Sequence, residues 1–167
     1  DASEVGKGTS GRNSGFMIDV PHNLASGEYS SGAPDATKVE MEQNRSAIKF
    51  AAAAATEYGM SRQTFDPAGK INAAATARGM KLNQSFGLSL KSAGEKHSFL
   101  DAAQMRALTG SDYYLGGLYT PGAVLIQPAD YIREFAAGLS RGVDLFEHSP
   151  VTALKREGGV WTAICPR

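Results

Sequence analysis

The segment Gly6-Lys7-Gly8-Thr9-Ser10-Gly11-Arg12-Asn13-Ser14-Gly15 limits the fold more than any other part of the chain. Glycines this closely spaced oppose helix and strand alike, because each adds backbone freedom that a regular element would have to freeze. They also remove the side chains that would keep an anion away from main-chain N–H groups. Ser10, Asn13 and Ser14 add neutral hydrogen-bonding groups and Arg12 adds a cation, so the segment has the chemistry to lie along a pyrophosphate. It is not a P-loop, since Lys7 is followed by Gly8 where that motif requires Ser or Thr. A mobile surface loop has the same composition, and clustered glycines alone do not separate the two readings.

The chain has 167 residues, enough for a domain that hides roughly 70% of its unfolded surface. Lys plus Arg (17) offset Asp plus Glu (17), leaving no net field to attract a polyanion, so no nucleic-acid partner is expected. The single cysteine, Cys165, excludes an internal disulfide and a zinc-type ligand pair, so no metal site is expected and the cytoplasm is the default compartment. The run Phe50 to Ala55 is far shorter than the roughly 20 apolar residues of a membrane-spanning helix, and no membrane partner is expected. Asp1 opens the chain without a leader, and Ile164-Cys165-Pro166-Arg167 closes it directly after a strand-like run. Both ends are read as cut, which makes the chain an internal fragment.

Apolar periodicity predicts a helix from Ala36 to Tyr58 ended by Gly59, and another from Ala77 to Ser92 that Gly87 weakens by up to ~1 kcal/mol. A strand is expected over Lys70 to Thr76 after the turn Asp66-Pro67-Ala68-Gly69. Asp101 with Gln104 three residues later has the form of a capping box, opening a short helix that stops before Gly110. Tyr113 to Tyr119 is read as a strand with a bend or a close backbone approach at Gly116-Gly117, and Ala123 to Ile126 as a second one. Pro128 suits the first turn of a helix running to Ser140, with Tyr131, Phe135, Ala136 and Leu139 as its buried stripe and Gly142 as its stop. Val143 to His148 is expected as a strand, and Val151 to Lys155 with Val160 to Ile164 as a hairpin around Glu157-Gly158-Gly159. The order predicts an α/β to α+β body with three to four helices.

The string Asp1-Ala2-Ser3-Glu4-Val5 followed by Gly6 to Gly15 resembles the segment after the second strand of the D-amino-acid oxidase-like flavoproteins. The likeness is greatest to the bacterial glycine/D-amino-acid and γ-glutamylputrescine oxidoreductase branch. Gly116-Gly117-Leu118, Leu125 to Tyr131 and Gly142 to Val151 echo further landmarks of that family in the same order. The resemblance implies a partial FAD-binding dinucleotide fold joined to a substrate domain with a mixed or antiparallel sheet. It implies that Asp1 grips the adenosine ribose, that Ser10, Gly11, Arg12, Asn13, Ser14 and Gly15 line the pyrophosphate and approach the flavin, and that the main chain of Val151 contacts the adenine. Thr9 and Ser14 stand where the family more often has Ala and Gly. The family's GxGxxG fingerprint belongs before Asp1, so FAD is expected to bind this fragment weakly or not at all.

The expected division is residues 1–35 as a remnant of the FAD-binding domain, 36–141 as helices and substrate-domain strands, and 142–167 as strands returning to the FAD-binding domain. The implied activity is oxidation of the C–N bond of a small amine or amino acid by hydride transfer to flavin. The fragment alone is expected to be inactive. Tyr113, Tyr114 and Tyr119 are candidates for a substrate wall, with Arg133 or Arg106 as carboxylate partners. His22, His97 and His148 are scattered and receive no catalytic role, and catalytic residues stay unassigned. The alternative is a noncatalytic ligand-binding or interaction module with a mobile glycine loop. Strand edges bared by truncation are expected to favour self-association.

Overall fold

The computed structural model describes residues 2–20, 23–25, 28–30, 34–140 and 142–165, with the backbone alone for 23–25, 28–30 and 34–37. The expected positions Asp1 and His22 lie outside these residues. In chain order the elements are a 3-10 turn (Thr9–Gly11), β1 (Phe16–Met17), β2 (Asn23–Ala25), β3 (Glu28–Ser30), α1 (Pro34–Glu57), β4 (Phe65–Asp66), β5 (Lys70–Ala74) and α2 (Ala77–Ser92). They continue as β6 (Ser98–Asp101), α3 (Ala102–Thr109), β7 (Gly116–Thr120), β8 (Val124–Ile126), α4 (Pro128–Leu139), β9 (Ala153–Glu157) and β10 (Val160–Ile164). The expected α/β to α+β class with three to four helices is what forms: four helices and small antiparallel sheets among the described residues. The chain forms two compact units, one of residues 1–15, 52–65 and 126–167, the other of residues 16–51 and 66–125.

The second unit is organised on the antiparallel sheet β5-β7-β6. Its central strand must be thin, because Met80 of α2 presses on Gly116 while Ile71 and Met105 of α3 press on Gly117; an added Cβ would come within 3 Å of each neighbour. The expected close approach at this glycine pair is therefore a packing requirement. Leu118, next along β7, and Phe86 and Leu90 on α2 are fully buried and form the core with Val20 and Met41. Gly87, which costs helix propensity, sits where the ring of Phe99 crosses α2, 2.5 Å from any Cβ placed there.

Helix ends follow the local chemistry. Gly59 takes φ +68° after α1, with Met60 N–H donating to Ala55 C=O and Gly59 N–H to Thr56 C=O, so the expected glycine stop is a Schellman motif. The same motif at Gly94 ends α2 and brings Glu95 to Arg45 of α1. The capping box at α3 is complete: Asp101 accepts from Gln104 N–H, Gln104 Oε1 accepts from Asp101 N–H, and Gly110 closes the helix in the left-handed region.

In the first unit, Tyr131 and Phe135 of α4 stack at 6.3 Å as the expected stripe, and Tyr58 meets Phe135 edge-on at 5.7 Å. Gly138 is confined by the Tyr58 ring, 2.4 Å from an added Cβ. The β9–β10 hairpin turns through Gly158 (φ +57°) and Gly159 (φ +84°), as the Glu157-Gly158-Gly159 signal predicts.

Two expected strands are corrected. Tyr113 and Tyr114 precede β7 in a turn held by Ser111 Oγ accepting from Tyr113 N–H, because the strand begins only where Gly116 can enter between α2 and β6. Val143 to His148 forms no strand: Glu147 spends its carboxylate on Val5 N–H at 2.6 Å, His148 N–H donates to Ser3 C=O, and His148 adopts φ +50°, outside strand geometry. Short strands β1, β4 and β6 arise where periodicity is too brief to be read. Replacing the exposed Asp101 by Ala is expected to lower unfolding free energy by about 1 kcal/mol with an unchanged urea m-value, as measured by urea denaturation.

Candidate functional site

The glycine segment folds into a defined turn. Gly11 N–H donates to Gly8 C=O and Arg12 N–H to Thr9 C=O, closing the 3-10 turn. Asn13 secures both ends, its Nδ2 donating to Ser10 C=O at 2.9 Å and to Thr9 C=O at 3.3 Å while its Oδ1 accepts from Gly15 N–H at 2.9 Å. This is an Asx-type local network, the reason asparagine is favoured in turns. The segment is thus a hydrogen-bonded turn.

Two glycines are required by contact and a third by its backbone angle. A Cβ on Gly11 would stand 1.8 Å from Gly6 C=O, and one on Gly15 2.2 Å from Ile126 C=O. Gly15 also holds φ +75° and is buried, and its C=O accepts from Ile126 N–H at 2.8 Å, just before α4. Gly6, at φ +81°, rests on the backbone of Ala129 in the first turn of α4. Gly8 differs, with open space around it. Toward the start of the chain, Lys7 bonds Glu4 and holds its carboxyl below the usual carboxylate range, with a smaller contribution from His148.

The side chains left over from this network are the ones chemistry needs. Ser10, Arg12 and Ser14 are exposed, and their side chains have no hydrogen-bond or ion-pair partner among the described residues. Thus a cation and two hydroxyls stand on a backbone held rigid by Asn13, a donor set suited to a diphosphate. Val151 belongs to the same compact unit, exposed in extended chain before β9, and its main-chain groups are likewise without partners among the described residues. It lies ahead of the strand in which it was expected, because the ladder begins at Ala153 opposite Ile164.

The tyrosines separate. Tyr113 and Tyr114 meet edge-on at 5.3 Å beside the start of β7, with Tyr113 70% exposed. Tyr119 lies within β7, opposite Ile71 and Ser98, and its hydroxyl donates to Ala68 C=O at 3.3 Å. Arg106 pairs with Asp112 at 3.0 Å and Arg133 with Asp130, so each carries a carboxylate of its own chain.

A buried polar group in the second unit was not visible in the sequence. Asp19 is 5% exposed, lies 3.5 Å from Arg45 through Oδ2, and presses so closely on Gly122 that a Cβ there would stand 1.9 Å from the carboxylate. Lys70 lies 6.0 Å from the centroid of the Phe86 ring, and its burial pushes the ammonium pKa down against the opposing pull of Asp19. Thr120, opposite Lys70 in the sheet, is also buried. No periodicity marks Asp19, since it sits in a bend where single polar residues are ordinary.

The sequence matches the family FAD dependent oxidoreductase over residues 1–166. The chain belongs to this family. Its fold is similar to glycine oxidase from Geobacillus kaustophilus, with a TM-score of 0.71 at 17% identity over 99% of this chain and 43% of that one. It is similar to L-amino acid deaminase from Proteus myxofaciens, with a TM-score of 0.69 at 13% identity over 99% of this chain and 36% of that one. L-proline dehydrogenase from P. horikoshii aligns with a TM-score of 0.66 at 13% identity, covering 95% of this chain and 39% of that one. No curated protein sequence matches at a significant level. The chain therefore spans less than half the length of these solved structures, and FAD is the cofactor of its family.

Gly15→Ala is expected to cost more than about 2 kcal/mol, from its positive φ and the collision with Ile126 C=O, whereas Gly8→Ala should stay within about 0.5 kcal/mol. Urea unfolding of the two variants side by side checks this; equal losses would mean the turn is not packed as described.

Proposed function

We propose that the protein carrying this chain oxidises the C–N bond of a small amine or amino acid, giving an imine that water hydrolyses. The observation that carries this reading is the rigid glycine turn with Ser10, Arg12 and Ser14 unpartnered at its surface, in a chain of the FAD-dependent oxidoreductase family. Flavin, when bound, supplies the hydride acceptor, and the protein supplies orientation and electrostatics. Arg12 neutralises diphosphate charge, while Ser10, Ser14 and the N–H of Gly8 donate to its oxygens. Gly11, Asn13 and Gly15 act by holding that line of donors in place. Asp1 binds the ribose hydroxyls and Val151 the adenine through its main chain. The amino-acid-acting neighbours support a small-molecule amine substrate, since glycine oxidase, L-amino acid deaminase and L-proline dehydrogenase share the fold.

Residues 1–35 and 142–167 serve the cofactor side in this proposal, and 36–141 the substrate side. Clustering of residues 1–15 with 142–167 in one compact unit supports the pairing of those two stretches, while residues 16–35 cluster in the other unit. Tyr113 and Tyr114 wall the substrate space as an exposed aromatic pair, and Tyr119 shapes it from within β7. No helix among the described residues is long and apolar enough to cross a membrane, and the protein acts in the cytoplasm in this proposal. The hairpin β9–β10 leaves Leu154, Val160 and Trp161 at least 62% exposed, and a two-stranded hairpin bare on both faces is marginal alone. Self-association of the 167-residue chain through this hairpin is the proposed consequence, checked by light scattering at rising concentration.

The intact protein, purified gently, is expected to show flavin absorbance that bleaches on anaerobic addition of a substrate amine. Arg12→Ala should weaken FAD binding by about tenfold in a fluorescence-quenching titration, the loss of one charge-assisted contact. The 167-residue chain alone should bind FAD weakly or not at all; a stoichiometric yellow complex would overturn that.

A further inference from the structure

Three polar side chains of the second unit converge on one buried corner: Asp19 in the bend after β1, Lys70 opening β5 and Thr120 closing β7. Lys70 and Thr120 are directly opposed in the antiparallel ladder, so their side chains leave the same face of the sheet. It is the face that carries α2, since the Lys70 ammonium lies over the Phe86 ring. Asp19 reaches this corner from the chain beyond β1. A Cβ on Gly122, two residues after Thr120, would stand 1.9 Å from its Oδ2 and 2.9 Å from its Oδ1, and the same carboxylate opposes the fall of the Lys70 pKa.

Two oxygens at this corner are left over. Asp19 Oδ2 faces Arg45 at 3.5 Å, and Arg45 is itself bonded to Glu95, but Asp19 Oδ1 has no hydrogen-bond partner among the described residues. Thr120 Oγ1 has none either. Asp19 is 5% exposed and Thr120 2%, so bulk solvent serves neither. A dry carboxylate oxygen is unfavourable, and protein interiors satisfy such atoms with ordered water when no side chain reaches them. Other small ligands fail on charge. A metal or organic cation would join Arg45 and Lys70, two cations already in place, and a metal ion would need about six oxygens. An anion would meet Asp19. Water is neutral, and it donates to a carboxylate while accepting from a hydroxyl or an ammonium.

We propose that this corner binds a single internal water molecule, which donates to Asp19 Oδ1 and bridges it to Thr120 Oγ1, with the Lys70 ammonium as third partner. The water fastens the chain beyond β1 to the end of β7 and lets Asp19 stay ionised in the interior. This site does not depend on the amine-oxidising function proposed above. A crystal structure of the intact protein, fine enough to show ordered water, is expected to place one water within hydrogen-bond distance of both oxygens. A direct carboxylate–hydroxyl bond, another residue of the intact protein at that point, or no density there overturns the site. Thermal unfolding of the intact protein adds a readout whose sign separates the readings. Were Thr120 Oγ1 simply without a partner, Thr120→Val would remove a buried polar atom at nearly constant shape, and the midpoint would hold or rise. With the water bound, valine takes away one of its partners and leaves Asp19 Oδ1 poorly served, so the midpoint is expected to fall by about 2 °C or more. A midpoint that holds or rises overturns the proposal, and the density in the unsubstituted protein decides alone should the variant fail to fold.

Discussion

Close approach of bare backbone is the constraint on which the rest of this chain depends. At Gly15 the main chain runs against Ile126 C=O and bonds it, at Gly11 it folds onto Gly6, and at Gly6 it touches the first turn of α4. No side chain beyond hydrogen fits at Gly15 or Gly11, and Gly6 is held to glycine by its φ of +81°. The same device recurs in the second unit, where Gly116 and Gly117 let two methionines close on a central strand from α2 and α3. Glycine is entropically costly at each position, and the compensation is packing that no other residue permits.

Rigidity at the turn has a functional consequence. Asn13 satisfies the backbone groups of the turn, which frees Ser10, Arg12 and Ser14 from structural duty and leaves them to an external anion. Donors fixed before a ligand arrives lose less entropy on binding than donors on a mobile ribbon. In the function proposed above that anion is the diphosphate of FAD, the cofactor of the chain's family.

A second organising element is the charge group around Asp19. Burying a carboxylate is unfavourable unless cations stand near, and Arg45, itself held by Glu95 at the end of α2, supplies one. The Schellman motif at Gly94 is what delivers Glu95 there, so a local C-cap serves a long-range ion pair between α1 and α2. Arg45 bonded to Glu95 holds its proton more tightly than a free guanidinium, burial acting against this.

What local chemistry dictates was legible in the sequence: the capping box at Asp101, the Gly59 stop, Pro128 opening α4 with its Tyr131-Phe135 stripe, and the two-glycine hairpin turn all depend on neighbours within a few residues. The glycine turn and its flavoprotein likeness were visible for the same reason. Tertiary structure alone decided that Val143 to His148 would be drawn off to residues 3–5 and form no strand, since Glu147 and His148 find partners more than 140 residues away. It also decided that the Tyr119 hydroxyl would reach Ala68 C=O, that Tyr113 and Tyr114 would pair edge-on before β7, and that Asp19 would be buried. Periodicity reports which face of an element is apolar, but which distant group will meet a given side chain is fixed only when sheet and helix pack, and that contact carries no local signature.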